Sequence, residues 1–178
     1  SNGIASCGIR TFNSTFLSFS DYLKPAIRMS ALMNLPVTYI FTHDSITVGV
    51  DGPTHQPVEQ LSNLRSIPNL YVYRPSDIKE IIGTYNTIIN DKKPAVISLA
   101  RTEVKAHKET KSVMVQKGAY IVSKEENKID GILLATGAEV QVALSVKERL
   151  KENNIDLRVV SMPCMEKYDE QSDGYKEE

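Results

Sequence analysis

Short apolar runs rich in β-branched residues alternate with segments of helical period along the N-terminal part of the chain. The apolar runs at residues 37–41, 70–73 and 95–99 predict buried strands. Over residues 16–35 and 78–89, apolar side chains recur at three- and four-residue spacing, which predicts amphipathic helices. Strands that alternate with helices usually form a parallel sheet covered by helices, so the pattern predicts an α/β fold.

The two predicted helices carry local signals. Pro25 should kink or delay the first helix, because it has no N–H to give to the preceding turn. At the start of the second helix, Asp77 as N-cap with Glu80 at the third helical position predicts a capping box.

A second compact unit is predicted after a polar stretch. Periodicity is lost over residues 102–117, so we expect a partial first domain at 1–104, a linker at 105–117 and part of a second α/β domain at 118–178. The strands and the helix predicted in the second domain lie at residues 119–122, 132–135, 156–161 and 140–150. Residues 166–178 are polar and charge-rich, which predicts a frayed tail.

Composition excludes several classes of protein. A formal net charge of -1 without a basic cluster argues against binding of nucleic acid. The two cysteines, Cys7 and Cys164, are far apart, which argues against a zinc cluster or a disulfide framework and fits a reducing compartment. No apolar run approaches the roughly 20 residues needed to cross a bilayer. We therefore expect a cytoplasmic protein without a membrane partner.

The most informative segment follows the predicted strand at residues 37–41. It reads Thr-His-Asp-Ser-Ile at 42–46 and then Gly-Val-Asp-Gly-Pro-Thr-His-Gln-Pro at 49–57. Two of the chain's three histidines lie in this glycine-punctuated loop. Because ligands bind at the carboxyl ends of strands in open α/β sheets, the loop is a candidate binding site.

Two other interpretations of this loop remain. A zinc site formed by His43, Asp51 and His55 is conceivable, but their spacing matches no standard metal motif. In a capped turn, Asp44 and Asp51 would instead accept hydrogen bonds from backbone N–H groups, and the histidines would lie on the surface without a role in binding.

The pattern THDSI…GxDGPTHQPVEQL resembles the pyrimidine-binding domain of the transketolase family. The segments at 15–22, 64–69 and 74–77 resemble the same domain, and those at 135–140 and 159–163 resemble the opening of the family's C-terminal domain. The resemblance runs nearly end to end. It implies a parallel-sheet domain that binds thiamine diphosphate, followed by part of a second α/β domain.

The resemblance also implies roles for individual residues. Phe16, Phe19 and Tyr22 are similar to the aromatic pocket for the cofactor's aminopyrimidine, although their spacing also suits a helix that buries an apolar stripe. His43 and Arg101 correspond to residues that hold the phosphate of the substrate. Asp51 corresponds to a carboxylate that accepts a hydrogen bond from a substrate hydroxyl. His55 corresponds to a catalytic group that hydrogen-bonds and handles protons near the reacting carbonyl.

The family's activity is transfer of a two-carbon ketol unit from a ketose phosphate to an aldose phosphate, in the pentose phosphate pathway. The resemblance therefore implies thiamine diphosphate, Mg²⁺ or Ca²⁺, sugar-phosphate substrates and a homodimer of the full-length enzyme. We expect the metal to be bound mainly by the family's N-terminal domain, with no ligand in this chain. The family's catalytic glutamate also lies before the first residue of this sequence, so we expect an internal fragment that is inactive alone, with a sheet edge left exposed.

Three departures from the family pattern concern the site. Ser6-Cys7-Gly8 replaces a His-Gly-Gly stretch and is one residue shorter, Val50 replaces an acidic residue, and Thr102 replaces a glutamine. These differences fit either a divergent member or a degenerate copy.

Two alternatives to a transketolase fragment stay open. Deoxyxylulose-phosphate synthase also carries a DGPTH string, but residues 42–46 and 56–60 fit it less well. A naturally split or degenerate subunit without catalytic activity is the other alternative, and a split subunit would be expected to break at a linker.

Overall fold

The computed structural model describes residues 1–177. They divide into two compact units, one formed by Ser1–Tyr73 with Asn86–Glu103 and the other by Arg74–Tyr85 with residues from 104 onward. The helices are α1 (Asn2–Ser6), α2 (Ser20–Leu32), α3 (Gln60–Arg65), α4 (Ile78–Asp91), α5 (Glu139–Lys151), α6 (Met165–Asp169) and α7 (Asp173–Lys176). The strands are β1 (Thr11–Phe16), β2 (Val37–Thr42), β3 (Tyr71–Tyr73), β4 (Ala95–Ser98), β5 (Tyr120–Ser123), β6 (Gly131–Ala135) and β7 (Leu157–Ser161).

The first unit contains a parallel sheet, as the α/β pattern predicts. Its strand order is β1-β2-β4-β3, and each neighbouring pair is parallel. Phe16 lies opposite Thr42, and Phe41 lies opposite Ser98. The carboxyl ends of β1, β2 and β4 therefore meet at one edge of the sheet.

The strand β1 shows that the prediction of a helix from residue 16 was wrong at its start. Phe16 is the last residue of β1, a short 3-10 helix follows at Leu17–Phe19, and α2 begins at Ser20. Residues 11–16 pair along their whole length with residues 37–42. This partner is distant in sequence, so helical spacing alone could not reveal the strand. Pro25 lies inside α2.

The core of the first unit lies between the central strands and the helices. Val37, Phe41 and Val96 from β2 and β4 are fully buried. Ile27 of α2 and Leu64 of α3 belong to the same apolar cluster. The helix α3 was not predicted, because its six residues are too few to show a helical period.

The second unit contains a smaller mixed sheet. Its order is β5-β7-β6, in which β6 and β7 are parallel while β5 and β7 are antiparallel. The three strands and α5 lie within about two residues of their predicted positions. The core joins the sheet to α5 through Tyr120, Val122, Val140, Ala143 and Val159.

Asp77 caps α4, as predicted. One carboxylate oxygen, Oδ1, accepts the backbone N–H groups of Lys79 and Glu80 at 3.0 and 3.1 Å. The other, Oδ2, accepts the N–H of His107 at 2.9 Å and the hydroxyl of Thr110 at 2.6 Å. One carboxylate thus fixes both the start of a helix and a stretch of polar chain in the second unit.

Glu80 differs in detail from the predicted capping box. Its buried carboxylate accepts the N–H of Ser76, at 2.8 Å, rather than that of the N-cap residue. Glu80 also accepts the hydroxyls of Tyr120 and Ser161 at 2.8 and 2.7 Å. Burial, reinforced by the Glu80 carboxylate, raises the pKa of Tyr120, so the phenol stays protonated as the donor.

The prediction of a frayed tail at residues 166–178 was wrong over the described residues. This stretch contains most of α6 and the whole of α7. The hydroxyl of Tyr175 donates to the carbonyl of Ala119 at 2.8 Å, and the ammonium of Lys117 lies 5.2 Å from the centre of the Tyr175 ring. Tyr175 therefore anchors α7 to the chain at Lys117 and Ala119. Glu178 lies outside the described residues.

Within residues 1–177, every helix is too short or too polar to cross a bilayer.

Candidate functional site

The candidate site lies where β1 and β2 end. Phe16 closes β1 directly opposite Thr42, the last residue of β2, so His43 is the first residue beyond the paired strands. His43 has a φ of +60°, in the left-handed region that few residues other than glycine adopt. Such conformations often mark binding and catalytic sites, where the surrounding structure holds the chain in them.

Four rings form a cluster at this edge. The imidazole of His43 stacks on Phe16, with centroids 3.8 Å apart and planes 21° from parallel. The rings of Phe16 and Phe19 are nearly parallel, with centroids 6.1 Å apart. His55 meets both phenylalanines edge-on, at 6.0 Å from Phe16 and 5.0 Å from Phe19. The structure thus brings together four of the residues that the sequence indicated.

Turns and one buried side chain shape the loop that carries His55. The N–H of Gly52 donates to the carbonyl of Gly49, and the N–H of His55 donates to that of Gly52, both at 3.1 Å. Gly49 and Gly52 both have positive φ, which makes glycine favourable at these turns. The buried amide of Gln60 accepts the N–H of Val58 and donates to the Asp21 carboxylate, at 2.8 and 3.0 Å, which ties the loop's end to α2.

The remaining predicted site residues are more exposed. Tyr22 lies 6.2 Å from Phe19 but is 83% exposed, so its ring is at the rim of the cluster. Asp51 is exposed in the turn between Gly49 and Gly52. Arg101 is exposed three residues beyond the end of β4, at the same edge of the sheet. Within residues 1–177, no hydrogen bond or ring contact joins Asp51 or Arg101 to the four rings.

Two threonines that the sequence analysis did not single out contact the histidines. The hydroxyl Oγ1 of Thr42 lies 3.0 Å from Nδ1 of His43, and Oγ1 of Thr54 lies 2.8 Å from Nδ1 of His55. Both pairs are adjacent Thr-His dipeptides, which was the signal available in the sequence.

The cluster is suited to a flat heteroaromatic ring and to oxygen-rich groups. Phe16 and Phe19 are only half-buried, so their rings can be contacted by a ligand ring in an offset or edge-on arrangement. The histidines and Arg101 can donate hydrogen bonds to phosphate or hydroxyl oxygens. In contrast, no group of three or more His, Cys, Asp or Glu side chains in the described residues could hold a metal ion.

The departures from the family pattern lie on the surface. Val50 is 97% exposed, beside Asp51 in its turn, and Thr102 is exposed next to Arg101. Cys7 is an exposed free thiol at the end of α1. None of these three side chains packs into the core of the first unit.

Family models match most of the sequence. Residues 1–106 match the pyrimidine-binding domain of transketolase. Residues 118–178 match the transketolase-like C-terminal domain. These assignments agree with the parallel sheet of the first unit and the mixed sheet of the second.

Curated relatives named transketolase share nearly half of their aligned residues with this chain. The Bacillus subtilis protein is 48% identical over 176 residues, which cover 96% of this chain and 26% of the relative. The Aquifex aeolicus protein is 49% identical over 175 residues, covering 96% and 25% respectively. The chain therefore spans about a quarter of the length of these relatives.

Solved transketolase structures show the same fold. The Leishmania mexicana enzyme superposes with a TM-score of 0.94 at 39% identity, over 99% of this chain and 26% of that one. A chain described as a split gene transketolase, from an inactive beta4 tetramer, superposes with a TM-score of 0.78 at 24% identity, which supports the fold alone. It is matched over 92% of this chain and 52% of its own. Together, the matched domains, the sequence identity and the shared fold show that this chain belongs to the transketolase family.

Proposed function

We propose that this chain forms the pyrimidine-side wall of a transketolase active site. In the complete enzyme, a two-carbon ketol unit would pass from a ketose phosphate to an aldose phosphate. The observation that carries this proposal is the cluster of Phe16, Phe19, His43 and His55 at the ends of β1 and β2. This cluster combines an aromatic surface with two nitrogen donors at the edge where α/β sheets bind ligands.

The aromatic part of the cluster fits thiamine diphosphate. Phe16 and Phe19 present nearly parallel, half-buried rings, against which the aminopyrimidine would pack while Tyr22 borders it at the rim. When bound, thiamine diphosphate supplies the electron sink for cleavage and formation of the carbon–carbon bond. The role of Phe16 and Phe19 is to orient the ring and to keep water from one of its faces.

The polar residues divide between the phosphate and the reacting end of a sugar phosphate. His43 and Arg101 would hold the phosphate, because guanidinium and imidazole groups both donate hydrogen bonds to its oxygens. Asp51 would accept a hydrogen bond from a substrate hydroxyl. His55 meets both phenylalanine rings edge-on. It would donate a hydrogen bond to the reacting oxygen and transfer a proton to or from that oxygen.

The divalent cation of the family does not fit the described residues, among which no suitable ligand cluster occurs. We propose that Mg²⁺ or Ca²⁺ is held by residues outside this sequence. We also propose that the diphosphate is bound by residues outside this sequence. The complete enzyme is proposed to be a homodimer. Hence these 178 residues alone are expected to be inactive.

Replacement of the matching segment in the Bacillus subtilis relative tests this proposal. The chimera that contains this chain should bind thiamine diphosphate and transfer a ketol unit between sugar phosphates in a coupled assay. The same assay on this chain alone, with added thiamine diphosphate and Mg²⁺, should give no turnover. A folded chimera that binds the cofactor without turnover would favour a degenerate, non-catalytic subunit. Turnover by the chain alone would contradict the proposed division of the site.

A further inference from the structure

Both histidines of the cluster are held in the same way by the residue before them. In each case the threonine hydroxyl lies within hydrogen-bond distance of the imidazole Nδ1, at 3.0 Å for His43 and 2.8 Å for His55. The two dipeptides lie on different segments, one at the end of β2 and one in the following loop. The third histidine, His107, follows an alanine, so it provides an internal comparison.

We propose that Thr42 and Thr54 are positioning residues that hold His43 and His55 in the Nε2–H tautomer. Each ring would then present an N–H donor to an oxygen of a sugar phosphate. This inference rests on the proposed function for its ligand, but the tautomers themselves can be measured without any ligand.

The intrinsic tautomer preference of histidine favours one direction for these two hydrogen bonds. A hydroxyl can either donate to Nδ1 or accept from it, whereas a neutral imidazole carries its proton on one nitrogen alone. Free neutral histidine favours the Nε2–H form, in which Nδ1 carries a lone pair. A hydroxyl that donates to this lone pair stabilises the same form, because the bond made by one nitrogen decides where the proton resides.

The aromatic neighbours fix the planes of the rings. Phe16 covers one face of the His43 ring, and the edge-on contacts with Phe16 and Phe19 set the plane of the His55 ring. With the plane fixed by a phenyl ring and Nδ1 held by a hydroxyl, Nε2 is the nitrogen available to a ligand. Among residues 1–177, no group donates to or accepts from Nε2 of either ring.

This geometry suits the acceptor character of the proposed substrate. Carbonyl, ionised phosphate and alkoxide oxygens accept hydrogen bonds, so an Nε2 without a proton would not bind them. Small errors in donor placement also cost catalysis, since reacting groups must be held close to their productive geometry. We therefore expect the two hydroxyls to act through the histidines, without contacting the substrate.

Nitrogen-15 NMR of the labelled chain tests the proposal. At a pH where the imidazole rings are neutral, long-range correlation spectra separate protonated from unprotonated ring nitrogens. For His43 and His55, Nε2 should show the shift of a protonated nitrogen and Nδ1 that of an acceptor nitrogen. His43→Gln, His55→Gln and His107→Gln assign the three signals. A protonated Nδ1 in His43 or His55 would overturn the proposal.

Substitution of the threonines separates positioning from a merely structural role. In Thr42→Val, the two nitrogen shifts of His43 should move toward a common averaged value, while those of His55 stay unchanged. Thr54→Val should have the converse effect, and Thr42→Ser and Thr54→Ser should restore the separated shifts. Unchanged shifts in both valine variants would refute the proposal. If a valine variant fails to fold, Thr42→Ala or Thr54→Ala, which also lacks the hydroxyl, takes its place in the same comparison of nitrogen shifts.

The outcomes are distinct from those that test the proposed function. Correct tautomers together with an inactive, cofactor-binding chimera would refute the enzyme proposal alone. An active chimera with Nδ1–H histidines would refute the positioning role of the threonines alone.

Discussion

The imidazole of His43 lies on the phenyl ring of Phe16, with ring centroids 3.8 Å apart. The contact arises from the pairing of β1 with β2, in which Phe16 is opposite Thr42 and His43 is the next residue. The last residue of β1 therefore supports a candidate ligand-binding group with its half-buried ring.

Phe16→Ala should loosen His43 and destabilise the first unit. Loss of the stacked ring and of its partial burial should lower the free energy of unfolding by roughly 1–3 kcal/mol. Urea denaturation measures this change, and the ring protons of His43 should lose the shift caused by the phenyl ring. The matched control is Phe12→Ala on the same strand, where the ring is 47% exposed. An equal effect of the two substitutions on the His43 signals would contradict the stacking role.

Asp77→Ala should destabilise the second unit by more than about 2 kcal/mol, since loss of an N-cap and of acceptors for buried donors both contribute. The carboxylate accepts three backbone N–H groups and one hydroxyl. Asp77→Asn keeps one acceptor oxygen and should lose less stability. Equilibrium unfolding of both variants is compared with that of Asp173→Ala, an exposed position in the first turn of α7. If Asp77→Asn lowers the free energy of unfolding as much as Asp77→Ala does, the hydrogen bonds accepted by Asp77 do not explain the loss of stability.

Stability should depend on the ionisation of Glu125 at low pH. Two hydrogen bonds from Arg158, at 2.8 and 2.6 Å, lower the pKa of Glu125 from 4.5 to about 2. Because the folded-state pKa is the lower one, this stabilisation is complete above about pH 4.5 and is lost as the pH falls toward about 2. The stability of the unsubstituted chain should therefore fall more steeply over this interval than that of Glu125→Gln.

Urea unfolding at a series of pH values measures this difference. Glu126→Gln is the matched control, because Glu126 pairs with Lys151 on the surface, where the two side chains are 58% and 51% exposed. Exposed pairs contribute little to stability, so this variant should follow the unsubstituted chain. Parallel pH profiles for Glu125→Gln and the unsubstituted chain would exclude the proposed linkage.

Gly118→Ala should destabilise the second unit by more than about 2 kcal/mol, through both backbone strain and overlap. Gly118 has a φ of +81°, and an added Cβ would lie 2.1 Å from the backbone nitrogen of Tyr168. Gly8→Ala separates the two causes, because Gly8 has a φ of +82° with no atom within 4 Å of the added Cβ. Thermal unfolding should show a smaller loss for Gly8→Ala. Equal losses would mean that the overlap at Gly118 is relieved.

The sequence predicted the central part of the fold well. Apolar runs predicted the buried strands β2, β3 and β4. Helical period predicted α4 and α5, and the cap at Asp77 predicted the start of α4. The strand β1 was missed because Phe16 and Phe19 continue the apolar spacing of α2, while the pairing that makes residues 11–16 a strand comes from residues 37–42. The C-terminal helices were missed because the Tyr175 contacts with Ala119 and Lys117 are also distant in sequence.

The candidate site was predictable as a set of residues but not as a geometry. The motif identified His43 and His55, and the strand-end position of Phe16 gives the physical reason for their meeting. Residue spacing could not show that His43 stacks on one face of Phe16 while His55 meets its edge. The roles assigned to all seven site residues stay predictions, as do the domain boundaries. The structure adds only that four of the seven side chains lie together.

The most direct test of the central claim is the rate of ketol transfer by the Bacillus subtilis chimera with and without His55. His55→Ala should lower kcat by about 10²–10⁴-fold, the usual contribution of a positioned acid or base, while thiamine diphosphate still binds. His107→Gln, which changes the histidine outside the cluster, should leave kcat unchanged. If the chimera transfers the ketol unit equally well with alanine at position 55, then His55 does not have the catalytic role proposed for it at this strand edge.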